Sequence, residues 1–250
     1  MNVSMYQAAA ALDANSRWQE VISENLASSS VPGFKKQQLS LAAVRAGLMP
    51  ASNLNSANLP KTFTMPKAST STSFLPGEMQ YTGNGHDVAI EGKGFFQVQL
   101  PNGAKALTRD GEFQMSAQGQ LQTKQGYPVL GAGGPIQLDP HNTAPLTISA
   151  NGDVSQGADV KDKIALADFD KPELLTQISG GYFTATNPNL HPQPATGTLR
   201  EGYIEGSNTS VVGEMANMMT AMRGFEANQK VIQMQDDRLG RTIADLGNPN

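Results

Sequence analysis

The C-terminal end of the chain carries the pattern that most limits what it can fold into. From Val211 onward, apolar side chains recur at alternating steps of four and three residues for about five heptads. The eleven positions, nine of them apolar, are Val211, Met215, Met218, Met222, Phe225, Gln229, Ile232, Asp236, Leu239, Ile243 and Leu246. This spacing predicts one long helix with a coiled-coil seam.

Helix-stop and helix-start signals frame this segment. The residues Ser207 to Ser210 offer side-chain oxygens for an N-cap, and Gly247 followed by Asn248 and Pro249 predicts the end. A helix of about 35 residues spans roughly 50 Å. We do not expect the chain to bury such a helix alone, so it needs a partner helix and contacts with other copies.

The N-terminal segment predicts that partner helix. Its stripe is formed by Met5, Ala8, Leu12, Asn15, Gln19, Ile22 and Leu26. Three serines at 28–30 and then Pro32 end the helix, and a turn is expected at 31–34. The turn residues Pro32, Gly33 and Phe34 allow two interpretations: a corner that contacts another subunit, or a simple helix end that anchors Phe34 in a local core.

The middle of the chain contains two segments that differ in composition and in hydrophobic pattern. Residues 47–75 are rich in Ser, Thr, Asn and Pro without a sustained period, which predicts an extended linker arm. Residues 76–200 consist of short alternating runs separated by glycine turns, which predicts an all-β domain. Asn102-Gly103 and Asn151-Gly152 are the hairpin-turn dipeptides within it.

The predicted fold is therefore α+β. Residues 1–46 give an N-terminal helix and turn, and 201–250 give the C-terminal coiled-coil helix. The two helices pair as a coiled-coil-like tube domain into which the arm and the all-β middle domain are inserted. The candidate assembly residues on the helix seam are Met5, Leu12, Ile22, Leu26, Met215, Met218, Met222, Phe225, Ile232, Leu239 and Ile243. The patterns alone predict an oligomer or filament with the terminal helices at its centre.

Composition argues against several classes of function. There are 18 Lys and Arg residues and the net charge is −4, so we expect no nucleic-acid partner. There are no cysteines and three isolated histidines, so we expect no metal or cofactor. No long apolar run predicts a membrane span, and the N-terminus does not look like a cleaved secretory signal.

The remaining short motifs favour structural roles. His86 and Asp87 are sequence neighbours on an expected strand, where successive side chains point to opposite faces, so we do not expect a catalytic pair. Asp236 and Asp237 lack further ligands for a cation. The glycines around 92–94 and 131–134 lack the spacing of phosphate-binding loops. We expect no enzyme activity and no small-molecule substrate.

Three blocks resemble the flagellar rod and hook protein family. Residues 25–36 read Asn-Leu-Ala-Ser-Ser-Ser-Val-Pro-Gly-Phe-Lys-Lys, close to the family's N-terminal signature, with departures at Glu24 and Val31. Residues 83–96 and 108–113 are similar to the start of its β domain, and 205–232 contains its C-terminal signature. Asn25, Pro32, Gly33 and Phe34 match the family's turn motif. Length and the Leu130-Gly131 region are most similar to the proximal-rod branch, and the distal-rod branch is next.

The resemblance implies a place and a set of partners. Members of this family build the axial structure of the bacterial flagellum, with the terminal helices as an inner tube and the β domain outside it. The implied partners are other copies, neighbouring rod and hook proteins, and the flagellar type III export apparatus. The implied location is the basal-body rod in the periplasmic space, reached without a cleaved signal peptide.

A rival from another class is a cell-wall glycan-binding or glycan-cleaving β module. Such a module would need exposed aromatic side chains or a carboxylate pair in a groove. The single tryptophan, Trp18, lies in the predicted N-terminal helix and not in the β domain. Clearing of purified cell wall in a turbidity assay would distinguish the cleaving module from a structural subunit.

Overall fold

The computed structural model describes residues 3–48, 62–142 and 144–247, which contain one helix near each end and strands between them. The helices are α1 (Val3–Ala27) and α2 (Val211–Gly247), with a 3-10 turn at Pro172–Leu174. The strands are β1 (Gln37–Leu48), β2 (Thr62–Thr72), β3 (Met79–Tyr81), β4 (Val88–Glu91), β5 (Phe95–Gln99), β6 (Lys105–Thr108), β7 (Phe113–Met115), β8 (Leu121–Thr123), β9 (Leu130–Gly131), β10 (Gly134–Pro135), β11 (Leu146–Ile148), β12 (Asp153–Gln156), β13 (Asp159–Lys163), β14 (Leu166–Asp168), β15 (Thr176–Ser179), β16 (Tyr182–Thr184), β17 (Gln193–Pro194), β18 (Thr198–Glu201) and β19 (Tyr203–Glu205).

The chain divides into two compact units. In the described residues, unit 1 contains 3–26, 37–48, 62–71 and 211–247, and unit 2 contains 27–36, 72–142 and 144–210. Unit 1 therefore combines most of α1 with α2 and the two-stranded sheet of β1 and β2. Unit 2 is built from the short strands.

Unit 2 is an antiparallel β structure around two apolar clusters. Its largest sheet has the strand order β15-β16-β6-β5-β14-β17, and β11, β12 and β13 form a second sheet. The larger cluster includes Phe96, Val98 and Val129, and the smaller one includes Phe95 and Phe183. Both predicted hairpins are present, because Asn102-Gly103 joins β5 to β6 and Asn151-Gly152 joins β11 to β12. The inserted β middle of the prediction is confirmed.

In unit 1, α1 and α2 approach each other where a small residue allows it. A Cβ added at Gly224 of α2 would lie 3.4 Å from the side-chain amide of Asn15 on α1. On α1, Ala8, Ala14 and Ile22 are buried. Most side chains of β1 up to residue 45 and of β2 from residue 64 are exposed. A two-stranded sheet is only marginally stable alone, so neighbouring elements must support it.

The predicted coiled-coil tube domain, and with it the α+β class, is wrong. The described residues contain two helices and nineteen strands, so the fold is mostly β with terminal helices. A coiled coil buries a continuous seam. The predicted seam instead leaves Met215 and Met222 each 54% exposed and Ile243 70% exposed. Strands β1 and β2 also share the unit with the helices, so this unit is not a helical bundle.

The less exposed positions of α2 follow the same spacing in a different register. Within residues 211–244 they are Glu214, Met218, Ala221, Phe225, Asn228, Ile232 and Gln235, with Gly224 beside this stripe. Only Met218, Phe225 and Ile232 belong to both stripes. The predicted seam and the less exposed stripe both have the four-three spacing, and they share every second position. The prediction selected the stripe with the larger apolar side chains.

Candidate functional site

The turn that follows α1 is held inside unit 2 by its glycine. The amide of Gly33 donates to the carbonyl of Glu205 at 2.6 Å, and its φ is +67°. A Cβ at this position would lie 2.3 Å from the backbone of both Arg109 and Asp110. No side chain fits there, and the positive φ also favours glycine. Phe34, the next residue, is buried in the same unit.

Beneath this turn lies a group that we call the buried ion triad, formed by Lys35, Arg109 and Glu205. The Lys35 ammonium donates to Glu205 Oε1 at 2.5 Å, and Arg109 Nη1 donates to Glu205 Oε2 at 3.1 Å. The side chains of Lys35 and Glu205 are 1% and 2% exposed. One carboxylate thus bridges two cations from distant parts of the chain.

Backbone groups satisfy much of the triad's remaining hydrogen-bonding capacity. Lys35 also donates to the carbonyl of Leu75 at 2.9 Å, and Arg109 Nη2 donates to the carbonyl of Gly92 at 2.8 Å. The amide of Gly77 donates to Glu205 Oε1 at 2.8 Å. Buried charges are tolerated only with such partners.

Burial has a clear electrostatic effect on the two cations. Removal from water lowers the pKa of Lys35, and the charge of Glu205 opposes that shift. Burial lowers the pKa of Arg109 in the same way, and Glu205 again opposes it. At both cations, the effect of desolvation on the pKa is larger than the effect of Glu205. Without Glu205, the site would hold two buried positive charges and no counter-charge.

Asn208 fastens the same segment a few residues farther along. Its side-chain oxygen accepts from the amide of Lys36 at 2.7 Å, and its side-chain nitrogen donates to the carbonyls of Ser73 and Leu75 at 2.8 and 2.9 Å. Its backbone amide donates to Phe34 at 3.3 Å. Three segments distant in sequence, 33–36, 73–77 and 205–208, are thus bonded together.

Asn25 has a comparable role within unit 1. Its side chain donates to the carbonyl of Gln37 and accepts from the amide of Gln37, both at 2.8 Å. Asn25 is 1% exposed, and these two bonds give both polar ends of its buried amide a partner. They hold the start of β1 next to the end of α1.

The geometry shows no reactive constellation at the places where the sequence raised one. The side chain of Asn84 contacts both His86 and Asp87: its Oδ1 is 3.3 Å from His86 Nδ1, and its Nδ2 donates to Asp87 Oδ1 at 3.1 Å. Across the described ranges, no three histidine, aspartate or glutamate side chains are grouped as metal ligands. Neither α1 nor α2 is long and apolar enough, in its described part, to span a membrane.

Comparison with known proteins identifies the family. The D1-domain model of flagellar hook proteins FlgE/F/G matches residues 89–156, and the C-terminal model of the flagellar basal body rod FlgEFG proteins matches 200–246. The chain is 34% identical to the basal-body rod protein FlgF of Escherichia coli strain K12, over 96% of this chain and 97% of the relative. It is 33% identical to FlgG of Buchnera aphidicola from Schizaphis graminum, over 94% and 96%. The chain belongs to the flagellar basal-body rod protein family.

Membership makes this rod protein a structural subunit of the flagellar basal body and confirms the resemblance carried by the three sequence blocks. FlgF of Caulobacter vibrioides is 32% identical over 92% of each chain, so relatives named FlgF and FlgG match at nearly the same level. The comparisons identify the family and not the member. The C-terminal family match includes Glu205 and Asn208, so residues of the buried site lie inside it.

The predicted assembly residues of the rod protein fall in three settings. Ile22 is buried, and Leu12, Leu26, Met218, Phe225 and Ile232 are half-buried. The exposed ones are Met5, Met215, Met222, Leu239 and Ile243. In the motif turn, Asn25, Gly33 and Phe34 are buried and Pro32 is half-buried. Burial of Phe34 matches the local-core interpretation, and the subunit-contact role of the turn stays a prediction.

The sequence reasoning missed the residues that hold this site together. Lys35, Arg109, Glu205 and Asn208 all lie within the blocks that resemble the family, but we predicted no role for any of them. The available signal was the presence of opposite charges inside otherwise apolar or glycine-rich motifs, since such charges are costly to bury without partners.

Proposed function

We propose that this rod protein is a proximal-rod subunit of the FlgF kind, with a distal-rod subunit of the FlgG kind or a hook-type subunit as the alternative. In this proposal it assembles with copies of itself and with neighbouring rod and hook proteins, and the assembly transmits torque from motor to hook. It leaves the cytoplasm unfolded through the flagellar type III export apparatus and folds in the periplasm. It has no catalytic role.

One observation carries the assembly part of the proposal. The first three turns of α2 expose an apolar stripe at the four-three spacing, which we call the outer stripe: Val212, Met215, Met219 and Met222 are each at least 54% exposed. The less exposed positions of α2 lie on another side of the helix. A helix with a second apolar stripe exposed in the single chain is expected to pack against another chain. Methionine suits such contacts because its flexible thioether adapts to irregular surfaces.

The test places charge on the outer stripe. The double variant Met215→Asp, Met222→Asp should abolish motility in a complementation assay while the purified protein keeps its folded β unit, because both side chains are exposed in the single chain. The matched control is Thr220→Asp, Ala227→Asp, which adds the same charge with the same seven-residue spacing at exposed positions that are not three or four residues from any stripe residue. Normal swimming of the first variant would contradict assembly through this stripe.

A second complementation experiment separates the two members. Expression of this chain should restore motility in a strain that lacks FlgF and leave a strain that lacks FlgG non-motile. Rescue of the FlgG-deficient strain alone would select the alternative. Both outcomes are compatible with a structural subunit, so this experiment decides only the position in the rod.

A further inference from the structure

Unit 2 contains a second buried carboxylate whose surroundings contrast with those of Glu205. Asp110 is 3% exposed and comes directly after Arg109 in the chain. Glu205 contacts two cations, whereas Asp110 has no ion pair among the described residues. Its Oδ1 accepts one hydrogen bond, from the amide of Glu112 at 3.0 Å.

The groups that face Asp110 are mostly acidic. Glu112 and Asp87 both raise its pKa through their negative charges, and Asp87 is itself buried. The nearest cation, Lys124, is exposed and already bound to Glu112 at 2.6 Å. Tyr182, which bonds Gln125 through its hydroxyl, also interacts electrostatically with Asp110. An ionised Asp110 is thus a buried charge with acidic neighbours and one shared, solvent-exposed counter-charge.

We propose that Asp110 is a proton-sensitive element of unit 2, which makes this unit more stable when the carboxyl is protonated than when it is ionised. The location gives this effect a structural route. The backbone of Asp110 is one of the two groups against which Gly33 packs, so a change in the charge of Asp110 occurs next to the turn after α1.

The direction and pH range follow from linkage. Burial, followed by the neighbouring carboxylates, raises the pKa of Asp110 from 3.8 to about 6. A folded-state pKa above the unfolded value means that the group stabilises the fold fully below the unfolded value, and that this stabilisation is lost as the pH rises through about 6. From about pH 7 to about pH 5, the folded-to-unfolded ratio should therefore rise about tenfold through Asp110 alone.

The consequence for the rod protein rests on the proposed function. A subunit that passes through an export channel unfolded benefits from a β unit that is less stable at the near-neutral pH of the cytoplasm. A compartment of lower pH then favours the folded, assembly-competent state. The stability effect itself does not depend on export, so it can be tested on the purified chain.

The experiment compares urea unfolding of the full chain at about pH 5 and about pH 7. Between the lower and the higher pH, the folding equilibrium constant of wild type should fall about tenfold more than that of Asp110→Asn. The matched control is Asp159→Asn, at an exposed carboxylate in the same unit, and it should behave as wild type. Wild type and Asp110→Asn share every other ionisable group, so the effects of those groups cancel in the comparison.

A parallel pH response of wild type and Asp110→Asn would overturn the proposal. If Asp110→Asn does not fold, the titration of the Asp110 carboxyl carbon by NMR in folded wild type replaces it. A midpoint near 6 supports the proposal, and a midpoint near 4 overturns it. Failure of this test, together with the expected loss of motility in the outer-stripe variant, would reject the proton-sensitive element and leave the rod-subunit proposal intact. Success of this test, together with normal swimming of the outer-stripe variant, would reject assembly through the stripe and leave the proton-sensitive element intact.

Discussion

Two buried carboxylates in unit 2 show how differently one residue type can be used. Glu205 joins Lys35 and Arg109 and accepts from a backbone amide, so its charge holds distant segments together. Asp110 is buried without an ion pair among the residues that the structure describes, and its charge opposes folding at neutral pH. The same chemical group therefore stabilises one part of the domain and destabilises another.

At the residue scale, we predict that Glu205→Gln destabilises the rod protein by about 3–5 kcal/mol. The change leaves the ammonium of Lys35 and the guanidinium of Arg109 buried without their common counter-charge. The measurement is the free energy of unfolding from urea titration near neutral pH.

The matched control is Glu91→Gln, which removes one partner of the exposed pair with Arg200, whose charged atoms are 3.7 Å apart. Solvent screens such a pair, so its loss should cost less than about 1 kcal/mol. Equal effects of the two substitutions would show that burial of the triad does not determine its contribution.

At the scale of elements, α2 is amphipathic in a register that the apolar pattern did not identify. Ala221 is fully buried, whereas its larger neighbour Met222 is 54% exposed. Close packing around Asn15 and Gly224 favours small residues on this side of the helix. On this helix, the larger of two neighbouring apolar side chains is thus not always the more buried one.

That register predicts a difference between two identical substitutions. Ala221→Leu adds volume at a filled position and should destabilise unit 1 by about 1–3 kcal/mol. Ala227→Leu, at an exposed position of the same helix, should change stability by less than about 0.5 kcal/mol. Thermal unfolding followed by far-UV circular dichroism measures both. If Ala227→Leu were the more damaging change, the assigned buried face would be wrong.

Local patterns predicted several elements of the fold because local chemistry specifies them. The start of α2 at Val211 follows from the apolar period and the capping residues, and the hairpins at Gly103 and Gly152 follow from Asn-Gly dipeptides whose glycines have φ of +79° and +92°. Strand β2 was not predicted, since it lies in the segment assigned to the linker arm and contains Pro66, which normally interrupts a strand.

The candidate site could not be predicted in the same way, because its contacts are long-range. Lys35 and Glu205 are 170 residues apart in the chain, and Arg109 comes from a third segment. Resemblance identified the blocks in which these residues lie, but no local period or dipeptide shows that one carboxylate bridges two cations. The domain boundaries 1–46, 47–75, 76–200 and 201–250 stay a prediction.

At the scale of the whole molecule, the two units contribute in different ways. Unit 2 has two apolar clusters and a buried ion triad, all formed by contacts within the chain. Unit 1 exposes large apolar side chains on α2 that the single chain leaves uncovered in its described part. We propose that this outer stripe contacts other rod subunits when the flagellum assembles.

Site-specific photo-crosslinking in motile cells tests this claim most directly. A photoreactive amino acid at Met222 should yield adducts with neighbouring rod or hook proteins, whereas the same probe at Ala227, an exposed position of α2 away from the outer stripe, should yield far fewer. A probe at Val160, exposed on β13 of unit 2, reports whether the β surface is contacted instead. Adducts at Met222 are the predicted result. Adducts at Val160, with none at Met215 or Met222 in assembled basal bodies, would contradict the account.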